Sequence, residues 1–193
     1  MGSSHDWHSE TYVDDWIRRD MQRDDERRPH LREMISLAPH DRTAPLRVLD
    51  VGGGFGVVAE EVLRMFPKAH VVLQDYSEPM LKHARRRLSR FAGQVTFIRA
   101  DLRNSSWKTL VDGPFDLVVS AIALHNLEDN SAIADCYGAI RGLLDSNGVF
   151  ADYDLFDHVG GVAAHRRLFE AAGFNRVACP WQEPPAAVIV GRN

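Results

Sequence analysis

From Leu46 onward, short apolar runs alternate with stretches whose apolar residues recur at helical spacing. The runs at 46–51, 69–74, 95–100, 115–121 and 148–154 read as strands, and the stretches at about 56–66, 78–90 and 131–144 as helices. Strands in regular alternation with helices predict a parallel sheet covered on both faces. A helix over 161–172, with His165, Leu168, Phe169 and Ala172 on one side, ends at Gly173, the residue best suited to a left-handed stop. Two strand-like segments follow, 174–180 and 186–191, separated only by WQEPP. That gap is too short for a crossover helix, so the two are expected to be antiparallel neighbours.

The front of the chain has a different period. Val13, Trp16, Ile17 and Met21 fall on one helical face over 12–21, with Asp14 and Arg18, and Asp15 and Arg19, as i,i+4 pairs outside. Pro29 is expected to open a second helix whose Leu31, Met34, Ile35 and Ala38 share a face, ending near Pro39. The charged run from Asp14 to Glu33 is nearly balanced in sign and reads as a solvated face. The chain therefore divides into a helical extension over 1–44 and an α/β domain over 45–193. Met1 to His5 carries no functional weight.

Composition narrows the partners. A chain of 193 residues supports one domain with a sizeable core. A net charge of −4 without a basic face argues against nucleic acid or an anionic membrane surface. There is no leader-like segment and no membrane-length apolar run, so the cytoplasm is the expected compartment. Cys136 and Cys179 lie far apart, without metal-like spacing, and read as buried apolar thiols.

The first strand runs into VGGGFG. Glycines at 52, 54 and 56, directly between a strand and a helix, allow a tight turn and a close approach of backbone to a ligand. The dinucleotide pattern GxGxxG fails in either register, because Val57 or Phe55 occupies a required glycine position. No GK[ST] follows, so the triphosphate loop fails as well. The second strand ends in Asp75, where a carboxylate accepts hydrogen bonds from ribose hydroxyls. The third ends in Asp101, an acceptor for an exocyclic adenine amine, with Leu102 to cover a ring face.

With VLDVGGGFG, VVLQDYSEPML, TFIRADL, PFDLVVSAIALHNLED and LLDSNGVFADYD in this order, the chain from Leu46 onward resembles the class I S-adenosylmethionine-dependent methyltransferases of small molecules. The resemblance implies a Rossmann-like, mostly parallel seven-stranded sheet with helices on both faces and an antiparallel last strand. It implies that Gly52, Gly53 and Gly54 face the methionyl part of S-adenosylmethionine. Asp75 then binds the ribose, Tyr76 lies near the adenosine, Asp101 and Leu102 bind the adenine, and Ser120 and Ala121 line the sulfonium. Phe55 stands where the family often has Thr or Ser, so one side-chain hydrogen bond is missing. Arg28, in ERRPHL, is the expected partner of the cofactor's carboxylate, with Arg27 as second choice.

Methyl transfer is an in-line displacement in which alignment and water exclusion supply much of the rate. Where the acceptor must lose a proton, His125 is the candidate base, because it follows the fourth strand at the edge where open α/β sheets bind ligands. The alternative is that His125 caps or packs the following helix. Asp152, Asp154, Asp157 and His158 suggest a hard-cation site, a substrate-facing rim or simply a solvated loop; metal is disfavoured, because by resemblance Ala121 aligns with the position from which catechol-type O-methyltransferases take a metal ligand. SAIA replaces the acidic or Asn residue, Pro-Pro and aromatic of enzymes that methylate bases or glutamine. Trp7, Tyr12 and Trp16 are candidates for a lid, with packing the preferred role for Trp16. Trp181 and Gln182 form either a pocket wall or a hairpin anchor.

The expected activity is methylation of a small-molecule oxygen, nitrogen or carbon nucleophile. The N-terminal helices and the 152–161 loop would enclose the acceptor, and a homodimer is a second way to close the site. The rival functions are a cofactor-binding module without transferase activity and a cofactor-assisted rearrangement or elimination on the same fold.

Overall fold

The computed structural model describes residues 5–193, with the side chains of Asp24 and Asp25 outside the description. The first four residues of the opening segment also lie outside it. The strands are β1 (Leu46–Val51), β2 (Ala69–Asp75), β3 (Val95–Arg99), β4 (Phe115–Ala121), β5 (Leu144–Asp154), β6 (Arg176–Glu183) and β7 (Ala186–Arg192). They form one sheet in the order β3-β2-β1-β4-β5-β7-β6. β7 is antiparallel to both neighbours, and the other pairings are parallel.

Period-two alternation divides the strands between two cores. Val48, Val71, Leu117 and Val149 point into one layer, under the helices α2 (Asp24–Ser36), α3 (Val57–Met65) and α4 (Glu78–Arg87). Leu49, Val72, Val118 and Phe150, one residue on, point into the other, under α5 (Asn130–Leu143) and α6 (Val162–Ala171). Because β1 is flanked by β2 on one side and β4 on the other, the chain reverses its winding there. A crevice opens at the carboxyl ends of those two strands, the place where such sheets take ligands.

The helix α1 (Glu10–Asp20) lies over this crevice. Ser9 caps it by accepting from Tyr12 N. Val13 and Ile17 are buried against Phe55 and Met80, each stabilising the docking by roughly 1.5–3 kcal/mol. The ion pairs Lys82–Glu10 and His83–Asp14 join the same surfaces but are exposed and screened by water, so apolar contact holds the helix. Asp14 thus pairs outside its own helix, and Arg18 pairs with Asp15 instead.

Several boundaries differ from the sequence reading. α2 starts at Asp24, so Pro29 lies inside it and not at its first turn; the helix forgoes the hydrogen bond that proline cannot donate. The charged run is not uniformly solvated, since Asp20, Arg27 and Arg28 are half-buried. β5 begins at Leu144, directly after α5, with an irregular register between Phe115 and Leu117. β6 continues through Trp181 and Gln182, leaving Pro184-Pro185 as the turn. Cys136 is buried, while Cys179 is only half-buried. Among the described residues no helix is long and apolar enough to cross a membrane.

Candidate active site

Three successive amide groups fix the glycine loop to the end of β2. Gly52 N donates to Gln74 Oε1 at 3.0 Å, Gly53 N to the Gln74 carbonyl at 2.9 Å, and Gly54 N to Asp75 Oδ2 at 2.9 Å. A phosphate cradle needs such N–H groups directed at the ligand. Here the protein's own side and main chain already bind them, which separates this loop from a polyphosphate site. Gly52, at φ +63°, brings β1 against the residues after β4: a Cβ there would lie 2.5 Å from Ala123 Cβ. Gly54, at φ +52°, has open space where a Cβ would stand, its nearest neighbour being Met80 Sδ at 4.0 Å.

A cavity of about 280 Å³ lies above the loop, bounded by Asp50, Asp75 and Tyr76 from the first two strands and by Leu102 after the third. Ala121 to Ala123 close it on the β4 side, and Trp7 and Trp16 cover it. Two carboxylates are buried in its wall. Burial pushes Asp50 up to about 7, against one hydrogen bond from Ala59 N and with further upward pressure from Asp75. Its Oδ1 has no hydrogen-bond partner among the described residues. Burial pushes Asp75 up to about 6, opposed by donors from Ser77, Gly54 and Tyr76.

A second cavity, of about 1240 Å³, adjoins the first and shares Trp16, Arg27, Ile122, Asn126 and Tyr153 with it. His125, on the short helical turn Leu124–Leu127, lines this larger space. Its Nδ1 lies 2.5 Å from Asp154 Oδ1, and its backbone N donates to Asp154 Oδ2 at 2.9 Å. Asp154, at the end of β5, also accepts from Leu155 N. With Nδ1 committed to this carboxylate, Nε2 is the nitrogen left to accept a proton. The cap of α5 is Asp129, which accepts from Ser131 N, so His125 does not cap that helix.

Gly52, Gly53, Gly54, Asp75, Tyr76, Leu102 and Ala121 meet at the smaller cavity. Other expected members lie elsewhere. Arg28 faces neither cavity; its guanidinium donates to Glu61 at 2.7 Å, while Arg27 lines both and pairs with Asp20 at 2.6 Å. Asp101 is exposed and accepts from Arg103 N, turning its carboxylate to its own loop, so Leu102 and Arg103 form the wall. Ser120 is fully buried away from the cavity, because alternation along β4 gives that side to Ala121. Trp16 packs against the Val13, Ile17, Phe55 and Met80 cluster, its expected role, and also lines both spaces, whereas Tyr12 lines neither. Trp181 belongs to the wall of the larger cavity. His5, given no weight from the sequence, lines both cavities. No group of three or more metal-ligating side chains is assembled among the described residues.

Asp50, Gln74 and Ile122 were not anticipated. Asp50 and Gln74 were visible as polar residues near the carboxyl ends of the runs LRVLDV and AHVVLQD. Ile122 adopts φ +53° and donates its N–H to the Tyr153 carbonyl at 2.8 Å. For a β-branched residue that conformation is strained, and nothing in the sequence signals it.

A model of the methyltransferase domain family matches residues 48–148. The chain is 33% identical over 144 residues to a ubiquinone/menaquinone biosynthesis C-methyltransferase of Methylobacterium nodulans, covering 73% of this chain and 54% of that protein. It is 35% identical over 114 residues to a malonyl-[acyl-carrier protein] O-methyltransferase of Magnetococcus marinus, covering 58% of this chain and 38% of that one. The chain therefore spans about half the length, or less, of these curated relatives. Among solved structures, an O-methyltransferase family protein from Burkholderia thailandensis superposes with a TM-score of 0.77 at 18% identity, over 98% of this chain and 60% of that one. The fold, the ordered motifs and the matched domain together make this chain a member of the class I S-adenosylmethionine-dependent methyltransferases.

Proposed function

We propose that the chain transfers the methyl group of S-adenosylmethionine to a small-molecule oxygen, nitrogen or carbon nucleophile, with donor in the smaller cavity and acceptor in the larger. The observation that carries this reading is the wall the two cavities share: molecules in both would meet beside Ile122 and Tyr153.

The residues present suit the donor. Asp75 offers a buried carboxylate for the ribose hydroxyls, with Tyr76 and Leu102 for the adenosine and Asp101 at the rim beside them. Gly52, Gly53 and Gly54 leave room for the methionyl chain, and Ala121, in place of Ser120, flanks the sulfonium. Asp50, with an unpartnered oxygen, suits the ammonium, and Arg27, in place of Arg28, suits the carboxylate. When bound, S-adenosylmethionine supplies a methyl carbon whose bond to sulfur breaks, the electron pair staying on sulfur, as the acceptor's lone pair bonds to that carbon. His125 Nε2 takes the acceptor's proton, while Asp154 fixes the imidazole and balances the charge it gains. Trp7 and Trp16 exclude water from above, the cover that a homodimer would otherwise supply. The two free thiols support a reducing, cytoplasmic setting.

Incubation with methyl-labelled cofactor and a panel of hydroxyl, amine and carbon acceptors tests the reading. Labelled product formed in equal amount with S-adenosylhomocysteine is expected. Tight cofactor binding by calorimetry, with no label transferred to any acceptor, would leave a binding module. Product released without S-adenosylhomocysteine would indicate rearrangement or elimination.

A further inference from the structure

The inner wall of the larger cavity is aromatic. Tyr153 on β5, Trp181 on β6 and His30 on α2 come from three separate elements, yet their rings meet in one cluster, with His30 against Trp181 and Trp181 tilted to both others. Tyr153 and Trp181 are 5.7 Å apart at 27°, His30 and Trp181 3.9 Å at 30°, and His30 and Tyr153 6.3 Å at 7°. Trp16, from α1, faces the same space. His125 completes it as a proton acceptor, anchored by Asp154. Arg23, Glu26, Glu128 and Glu183 line it too but are exposed and solvated at the mouth, and the half-buried Arg27 and Asp20 pair with each other at 2.6 Å, so the charged groups select no single sign.

We infer that the acceptor is a neutral hydroxylated aromatic ring, seated against Trp181 and Tyr153 with its hydroxyl at His125. This rests on the transferase reading above and deepens it. An aromatic ring gains from stacked or edge-to-face contact with such side chains beyond the area it buries, whereas an aliphatic chain gains only the area. The proton chemistry points the same way. A phenolic hydroxyl ionises near 10, about 3.5 units above an ordinary imidazole. An aliphatic hydroxyl ionises far higher still, in the range of water itself. An imidazole held by one carboxylate serves the first acceptor well and the second poorly. The proton passes from the phenolic oxygen to His125 Nε2 as that oxygen gains the methyl group and the leaving electron pair remains on sulfur.

The test uses 2-naphthol, cyclohexanol and cyclohexylamine with the full chain. Equilibrium dialysis is expected to show 2-naphthol binding that weakens at least tenfold in Trp181→Ala and recovers in Trp181→Phe, while cofactor affinity by calorimetry stays unchanged. With labelled cofactor, 2-naphthol is expected to be methylated at least a hundredfold faster than either aliphatic compound. Equal or faster methylation of cyclohexanol or cyclohexylamine would overturn the aromatic assignment and leave the transferase reading standing. So would absent 2-naphthol binding, or binding indifferent to Trp181. Trp181-dependent binding of 2-naphthol, with no methylation of any compound, would sustain the aromatic site and overturn the transferase reading instead.

Discussion

The guanidinium of Arg28 donates to the buried carboxylate of Glu61 at 2.7 Å, joining α2 to α3, while the adjacent Arg27 turns to the cavities. Arg32 and Arg64 bind the same carboxylate, so Glu61 keeps two cationic partners if Arg28 is removed. Arg28→Ala is expected to lower stability by about 1 kcal/mol and to leave cofactor affinity unchanged. Arg27→Ala is expected to weaken cofactor binding about tenfold or more, the loss of a charge-assisted contact. Calorimetry on both variants decides, and the reverse pattern would return the carboxylate to Arg28.

Asp50 and Asp75 couple folding and binding to pH in opposite directions. Burial holds them near 7 and 6, whereas an unfolded Asp ionises near 3.9. The native chain therefore keeps protons that the unfolded chain has released. Their stabilising effect is full below about pH 4 and is lost as pH rises through 6 and 7, at up to about 1.4 kcal/mol per unit for each group. Urea denaturation at about pH 5 and pH 7 should show the higher stability at pH 5, and Asp50→Asn should flatten the difference. Identical slopes in variant and parent would refute the assignment. Cofactor affinity runs the other way: with Asp75 on the ribose hydroxyls, it rises with pH through about 6, because the ionised carboxylate is the better acceptor.

Ile122 separates backbone strain from side-chain burial. Alanine and glycine both remove its apolar side chain, so their comparison cancels that loss. At most positions glycine is the less stable of the two by roughly 0.5–1 kcal/mol. At φ +53° the order should invert, Ile122→Gly exceeding Ile122→Ala by about 1 kcal/mol. Thermal denaturation of the pair reads this directly, and the ordinary order would mean that residue 122 relaxes out of the left-handed region.

The strands were legible because a parallel sheet buried on both faces leaves continuous apolar runs, as in VVL of β2 and LVV of β4. The β4 alternation that assigns the cavity side to Ala121 and not Ser120 was also readable, had the period been carried to the strand's last residues. Arg27 and Arg28 were not separable. Their difference depends on how α2 is rotated against Glu61, 33 residues beyond Arg28, a tertiary contact with no local signature. Pro29 misled for a related reason: burial of Leu31, Met34 and Ile35 fixes α2 on the sheet, and the helix extends back through the proline despite it. The aromatic wall joins β5, β6 and α2, so its members appeared in the sequence only as separate residues.

His125 and Asp154 together decide whether the chemistry uses a base. Asp154 is nearly fully buried and accepts from the His125 ring, the His125 backbone and Leu155 N, so it sets the position of the whole turn as well as the ring. If His125 takes the acceptor's proton, His125→Gln should lower kcat by roughly 10²–10⁴ and leave cofactor affinity intact, because the ring lies outside the donor cavity. Asp154→Asn should also lower kcat, because the amide no longer fixes the imidazole with Nε2 turned to the acceptor. A structural role predicts something else. Both variants would then lose thermal stability with kcat unchanged at temperatures where they remain folded.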